Sequence, residues 1–244
     1  MNFENLFNYN SEIFYKEYYP TRERERERGV LINNDCIKVM NKLEDEIFNL
    51  TITDIPYGEV NRKDNGLRNL NKENADVLTF DLESFLNELY RLTTGTIIIF
   101  CGIEQVSPIA KFFSEKQKDK FGTMRHLVWT KTNPSPMNGD YIYLSAIENA
   151  VWFKKRGGTF NAHCKKNYFA YPCGKSKQHP TEKNHDLIKE LILDNSNEND
   201  IIFDPCSGSG THCLVAKENN RRFVGIELDK IYFNISKERF KKEE

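Results

Sequence analysis

Residues Ile201 to Thr211 read Ile-Ile-Phe-Asp-Pro-Cys-Ser-Gly-Ser-Gly-Thr: a short buried-strand run, a turn holding two glycines, and a helix start. Glycine lets backbone approach a ligand closely, and the free N–H groups of a helix N-terminus favour electron-rich groups. A second strand, Phe223-Val224-Gly225-Ile226, ends in Glu227, 17 residues beyond Gly210. An acid about 20 residues past such a loop is placed to accept from both hydroxyls of a ribose. A plain turn between strand and helix needs glycine too, but strand, loop, helix and acid in register predict a nucleoside-containing ligand.

A dinucleotide-binding domain opens with this loop and has several strands still to come. Here the loop comes near the end of 244 residues, and Cys213 stands where a third glycine belongs. The nucleoside half therefore comes last, an order that fits a dehydrogenase poorly, and upstream strands must complete the sheet. Candidates are Gly29–Ile32, Phe48–Thr53, Thr96–Cys101, Leu127–Trp129 and Ala150–Phe153, with helical spacing over Cys36–Leu43, Leu82–Leu92, Asp186–Leu193 and Thr211–Glu218. Ser107-Pro108 reads as the cap and first position of another helix, running to about Lys116. Alternating strands and helices predict an α/β fold: a mostly parallel twisted sheet with helices on both faces. Residues 1–28 stand apart as an aromatic and charged extension. The alternating signs of Arg22 to Arg28 suit a solvated helix or an extended linker.

Lys+Arg total 35 against Asp+Glu 36, so bulk charge does not announce a nucleic-acid binder, and local basic clusters would have to supply one. Six scattered cysteines without a C-x-x-C pair argue against a disulfide scaffold or a zinc site and suit a reducing compartment. No stretch has the length of a membrane span, and the first ten residues lack the pattern of a secretory signal. A cytoplasmic protein without a membrane partner is expected, nucleoid-associated if bacterial.

A second loop closes a strand at Asp54-Ile55-Pro56-Tyr57, placing a carboxylate, a rigid proline and an aromatic ring where open α/β sheets bind ligands. This box resembles the Asp-Pro-Pro-Tyr of the DNA amino-methyltransferases of the β arrangement, in which the target-amine motif precedes the S-adenosylmethionine motif; Ile55 replaces the first proline. Asp204-Pro205-Cys206-Ser207-Gly208-Ser209-Gly210-Thr211 is similar to the family's Asp-Pro-Phe-x-Gly-Ser-Gly-Thr, with Cys206 for phenylalanine. His179-Pro180-Thr181-Glu182-Lys183 resembles His-Pro-Thr-x-Lys, and Asn34-Asp35-Cys36 the Gly-Asp-Cys stretch at the adenine end of the cofactor. Trp129 to Pro134 and Glu148 to Trp152 resemble the middle motifs. The matches run in family order from about Gly29 to the end.

The resemblance implies a Rossmann-like S-adenosylmethionine-dependent methyltransferase fold with circularly permuted motif order, over 29–244. It implies site-specific transfer of a methyl group to the exocyclic amine of a flipped base in double-stranded DNA. Adenine N6 is preferred over cytosine N4 because cytosine members more often carry serine at position 54. It assigns catalysis to Asp54, Ile55, Pro56 and Tyr57. The cofactor falls to Asp35, Cys36, His179, Thr181, Lys183, the loop from Asp204 through Pro205, Cys206, Ser207, Gly208, Ser209 and Gly210 to Thr211, then Glu227 and Leu228. No metal is called for. A homodimer and a cognate restriction endonuclease are further partners that it admits.

An exocyclic amine is a poor nucleophile because its lone pair is delocalised into the ring. Asp54 and the Ile55 carbonyl would accept its two N–H bonds and favour a localised lone pair, and Tyr57 would stack on the extruded base. Basic residues cluster in two places: Arg62, Lys63, Arg68 and Lys72 after Tyr57, and Lys154, Lys155, Arg156, Lys165, Lys166, Lys175 and Lys177 before His179. Such clusters hold phosphates whatever the total charge, and 154–178 would be a small target-recognition segment. An RNA or protein methyltransferase, or an idle DNA-binding subunit that keeps the fold, stay open as rival readings.

Overall fold

The computed structural model describes residues 2–3, 13–19, 26–57, 78–136, 139–173 and 183–241, with the backbone alone at 13–19 and 26–27. Among the described residues nine strands form one sheet: β1 (Ile13–Tyr19), β2 (Arg26–Asn33), β3 (Phe48–Asp54), β4 (Thr93–Cys101), β5 (Gly122–Lys131), β6 (Ile147–Lys155), β7 (Tyr168–Tyr171), β8 (Ile201–Asp204) and β9 (Arg222–Glu227). Their spatial order is β1-β2-β9-β8-β3-β4-β6-β5-β7. The five strands from β2 to β4 are mutually parallel, whereas β6 runs antiparallel to both β4 and β5. The late strands β8 and β9 thus insert between β2 and β3, the permutation expected of a nucleoside half that comes last.

Alternation along the strands sends apolar side chains to both faces. In β4, Ile97 and Ile99 enter one core layer while Ile98 and Phe100 enter the other. The first layer is closed by α1 (Cys36–Met40), α2 (Leu82–Leu92) and α3 (Ile103–Lys118); the second by α4 (His185–Asn195), α5 (Thr211–Glu218) and α6 (Lys230–Lys241). Helix α2 starts where Asp81 accepts from the Ser84 N–H at 2.8 Å, and it buries the stripe Phe85, Leu86, Leu89 and Leu92. Phe48 stacks on Phe203 at 4.1 Å between centroids, locking β3 to β8. Truncating either ring would cost about 3–5 kcal/mol.

Three sequence expectations are corrected. Helix α3 starts at Ile103, not at Ser107-Pro108, and carries Pro108 within it. The Gln105 side chain accepts from the Gly102 N–H at 2.9 Å, so a cap five residues upstream outweighs the proline signal. The alternating charges do not continue as a helix at Arg26 to Arg28, because that backbone is already strand β2, paired with β1. Next to it Gly29 has no room for a side chain: a Cβ would lie 2.3 Å from the Phe223 ring. Finally, β7 lies inside 154–178, where the sequence offered no strand candidate. Four residues at a sheet margin are too few to show alternation.

Candidate active site

Parallel strands bring their C-terminal ends to one edge, and here that edge collects Asp54 of β3, Asn33 of β2, Glu227 of β9 and the loop after β8. Antiparallel β6 delivers its beginning, Glu148, to the same edge, beside Lys131 at the end of β5. Lys183, just before α4, reaches between them. Its ammonium lies 2.7 Å from Asp54 Oδ2, 2.7 Å from Glu148 Oε2 and 3.0 Å from the Tyr57 hydroxyl. Lys131 holds the other Glu148 oxygen at 2.8 Å.

Only 4% of the Lys183 side chain is exposed, so its charge persists because of these partners. Burial alone would lower its pKa, but Asp54, Tyr57 and Glu148 drive it well above the usual lysine value. Burial likewise raises the Asp54 carboxyl, with Lys183 pulling the other way. For Glu148 burial pushes upward, but the two lysines prevail and hold it at about 2. The outcome is an Asp54 side chain held in place by its ion pair with Lys183. One of its oxygens is clamped; the other, Oδ1, is buried with no hydrogen-bond partner among the described residues. An orphaned buried acceptor is costly, and Asp54 Oδ1 calls for a partner that the described residues do not supply.

The Asp54–Tyr57 segment is rigidly placed. The Ile55 N–H donates to the Phe100 carbonyl at 3.2 Å, Gln105 donates to the Pro56 carbonyl at 2.8 Å, and Tyr57 packs on Gly102. Ile55 is 1% exposed, so the side chain in place of proline is a core residue.

Beside this cluster lies the glycine loop. Gly208 and Gly210 have φ of 50° and 80°, left-handed values that suit glycine. A Cβ on Gly210 would also lie 2.2 Å from Ser236 Oγ. Glu227 braces the loop: its oxygens accept from the Gly208 N–H at 2.7 Å and the Asp229 N–H at 2.8 Å. Each oxygen retains a lone pair, so the carboxylate still suits a pair of hydroxyls. Burial raises it to about 7 against the pull of those two N–H donors. Asp35 caps α1 through one oxygen, accepting from the Lys38 N–H at 2.9 Å. Cys36 and Cys206 share one apolar cluster, while Pro205, Ser207, Ser209 and Thr211 are buried in the loop wall. Leu228 is exposed next to Glu227, and its carbonyl accepts from Asn33. Asp204 faces inward: it accepts from the Cys206 N–H at 3.1 Å and pairs with His212 Nδ1 at 2.7 Å. His179 and Thr181 lie outside the described residues.

Four site-shaping residues escaped sequence reasoning as individuals. Glu148 was visible only as part of a strand motif. Gln105 belongs to the cap of α3, and Arg239 donates from α6 to Ser209 and Thr211 in the glycine loop. His212, one position after Thr211, is buried against Phe100 with Nε2 unpartnered among the described residues. Its signal was a histidine at the start of a helix otherwise lined by apolar residues.

Residues 48–238 match the family of N6 and N4 DNA methylases. The chain belongs to the DNA amino-methyltransferases. It is 25% identical to the type II methyltransferase M2.LlaDCHI of Lactococcus lactis subsp. cremoris over 98% of this chain and 97% of that protein. It is 31% identical to M.HpaI of Haemophilus parainfluenzae, over 87% and 74%. Among solved structures, M1.HpyAVI in its complex with SAM superposes with a TM-score of 0.65 at 28% identity, covering 86% of this chain and 98% of that one. The cytosine-N4-specific PvuII methyltransferase shares the fold, with a TM-score of 0.67 at 19% identity over 87% and 86%.

For a DNA methyltransferase, the basic residues singled out in the sequence fall into different places. Lys155 ends β6 and Arg156 follows it, at the opposite margin of the sheet from Glu148, about 23 Å away for Lys155 at ~3.3 Å per residue. Antiparallel β6 carries them away from the Asp54 edge, which removes the reason for grouping them with the site. Lys165 is already neutralised, lying between Asp194 and Glu190, the latter at 2.7 Å. Lys166 is exposed and donates to the Tyr168 hydroxyl at 3.0 Å. Arg62, Lys63, Arg68, Lys72, Lys175 and Lys177 lie outside the described residues.

Proposed function

We propose that this methyltransferase modifies adenine at N6 within a short recognition sequence of duplex DNA, with Asp54 as the acceptor for the target amine. The observation that carries the amine-methylation reading is the buried, unpartnered Oδ1 of an Asp54 whose other oxygen is clamped by Lys183, and the preference for adenine rests on the aspartate at a position where cytosine members more often carry serine. S-adenosylmethionine is the methyl donor, supplying an electrophilic methyl group on a sulfonium. Asp54 Oδ1 accepts one amine N–H and the Ile55 carbonyl the other, which localises the nitrogen lone pair for in-line attack. Tyr57, held through its hydroxyl by Lys183, stacks on the extruded base. Lys183 does not touch substrate in this scheme; it keeps Asp54 ionised and oriented, the preorganisation that accelerates a transfer needing no covalent enzyme intermediate. Glu227 holds the ribose hydroxyls, Asp35 lies at the adenine end, and the loop through Gly208 and Gly210 admits the methionine part.

The basic loop after Tyr57 and the part of 154–178 that lies beyond Lys155 and Arg156 form the DNA-recognition region. A homodimer and a companion endonuclease belong to the same reading, which the type II designation of the relatives places in a restriction–modification setting. Labelled methyl transfer to duplex DNA, followed by mass spectrometry of the digested nucleosides, tests the reading. N6-methyldeoxyadenosine is expected. N4-methyldeoxycytidine would overturn the choice of base, and label in RNA or protein alone would overturn the substrate.

A further inference from the structure

Between β5 and β6 the chain makes an excursion whose stem is built from the site itself. Its two roots, Lys131 and Glu148, are the ion pair beside Lys183, and the Lys131 N–H donates to the Ala146 carbonyl at 2.7 Å. At the tip are four consecutive apolar or aromatic residues: Tyr141 is 88% exposed, Ile142 63%, Tyr143 100% and Leu144 38%. Folded chains do not ordinarily hold a cluster of this kind in water without a use for it. Among the described residues neither tyrosine ring has a stacking or cation partner. The tip is also internally set: the Ala146 N–H donates to the Leu144 carbonyl at 2.8 Å, and the Gly139 N–H to the Pro136 carbonyl at 3.0 Å.

We propose that the Tyr141–Leu144 tip inserts into the DNA base stack at the place that the target base vacates. The inference rests on the proposed DNA-methylation reading and deepens it. Two observations and one physical argument favour a duplex over a second protein chain as the occupant. The stem is shared with the site: Leu144 lies four residues before Glu148, which meets the Lys183 that clamps Asp54, so the tip is tethered beside that site, where a permanent protein partner would crowd the substrate. From Thr132 to Ile147 the only charged residue is Asp140, so the tip suits base faces and not phosphates. Finally, extruding a base leaves a gap bounded by two aromatic surfaces, which apolar side chains fill while offsetting lost stacking.

The test replaces the tip in the full chain with Tyr141→Ser, Ile142→Ser and Tyr143→Ser together, exposed positions whose loss leaves the core intact. Single-turnover methylation is measured on a matched duplex and on the same duplex with the target base mispaired, hence already loosened. The expected result is a loss of about ten- to a hundredfold on the matched duplex, within about twofold of wild type on the mispaired one, with unchanged S-adenosylmethionine affinity. A 2-aminopurine placed at the target should brighten with wild type and not with the variant. Wild-type rates from the variant on the matched duplex would overturn the inference. So would equal losses on both duplexes accompanied by dissociation of a wild-type dimer in sedimentation, which would make the tip a subunit contact. If wild type methylates neither duplex, the DNA-methylation reading fails, and this inference with it.

Discussion

Replacing Lys183 with methionine is the sharpest probe of the Asp54 cluster. The substitution keeps the length of the side chain and removes one charge that two carboxylates share at 2.7 Å each. At an effective dielectric of about 20, each contact is worth about 6 kcal/mol before desolvation is subtracted. Breaking a buried pair from one side costs about 3–5 kcal/mol net. Asp54 and Glu148 keep 22% and 18% of their side chains exposed, and Lys131 still holds Glu148, so the low end, about 3 kcal/mol, is expected. The kinetic signature is more specific. Burial already raises the Asp54 carboxyl and Lys183 opposes it, so removing the lysine moves it further up. The rate near neutrality should fall about a hundredfold. The acid limb of the pH–rate profile should shift to higher pH, so that activity partly returns on the alkaline side. S-adenosylmethionine affinity, measured by calorimetry above the shifted limb, should stay within a few-fold of wild type. Lost cofactor affinity with an unmoved acid limb would refute the clamp and return Lys183 to the cofactor role that its motif implies.

Asp54→Ala should abolish methylation, by a hundredfold or more at about 3 kcal/mol, while circular dichroism and cofactor affinity stay near wild type; a wild-type rate would reduce the Asp54–Tyr57 box to a turn. Cofactor affinity should weaken by up to about tenfold per pH unit below about 7, where burial sets the Glu227 carboxyl, and Glu227→Gln should bind weakly with no such step. The sign for stability is opposite: folded Glu227 keeps a proton that the unfolded chain releases above 4.5, so thermal stability without ligand should decline between pH 4.5 and about 7, by roughly 3 kcal/mol if nothing relaxes. Changing Arg62 and Arg68 to glutamine should flatten the slope of log DNA affinity against log salt by about one to two units. Lys165→Gln should leave that slope unchanged, because Glu190 and Asp194 already neutralise the lysine.

Local pattern was enough where one element decides the outcome. Helix α2 runs from Leu82 to Leu92 as its apolar spacing predicts, and β3 ends at Asp54, where alternation gives way to Pro56. The two loops at the candidate site were legible because glycine and a terminal acid report backbone demands directly. What sequence reasoning missed depends on strand direction and neighbours. Charge clustering put Lys155 and Arg156 with the DNA-facing residues, but clustering along a chain says nothing of which margin an antiparallel strand delivers them to. Lys183 was read through its motif as a cofactor residue, yet its partners Asp54 and Glu148 are far away in sequence and only the sheet order unites them. Pro108 misplaced the start of α3 because its signal hid a local cap, the Gly102 N–H on the Gln105 side chain, which also reaches Pro56.

The placement of β8 and β9 between β2 and β3 also sets a schedule for synthesis. A nascent chain releases β2 and β3 early, but they have no contact strand between them until residues 201–227 leave the ribosome. Even then the glycine loop waits for Arg239 and Phe240 of α6, the last described helix. Until that point two strand edges and the Phe48 ring face solvent, a state rich in long-range contacts still to be made and exposed to aggregation. Ribosome-stalled chains cut before residue 200 should therefore be captured by chaperones and bind no cofactor, so that a cell acquires methylating capacity only from molecules finished to the end of α6.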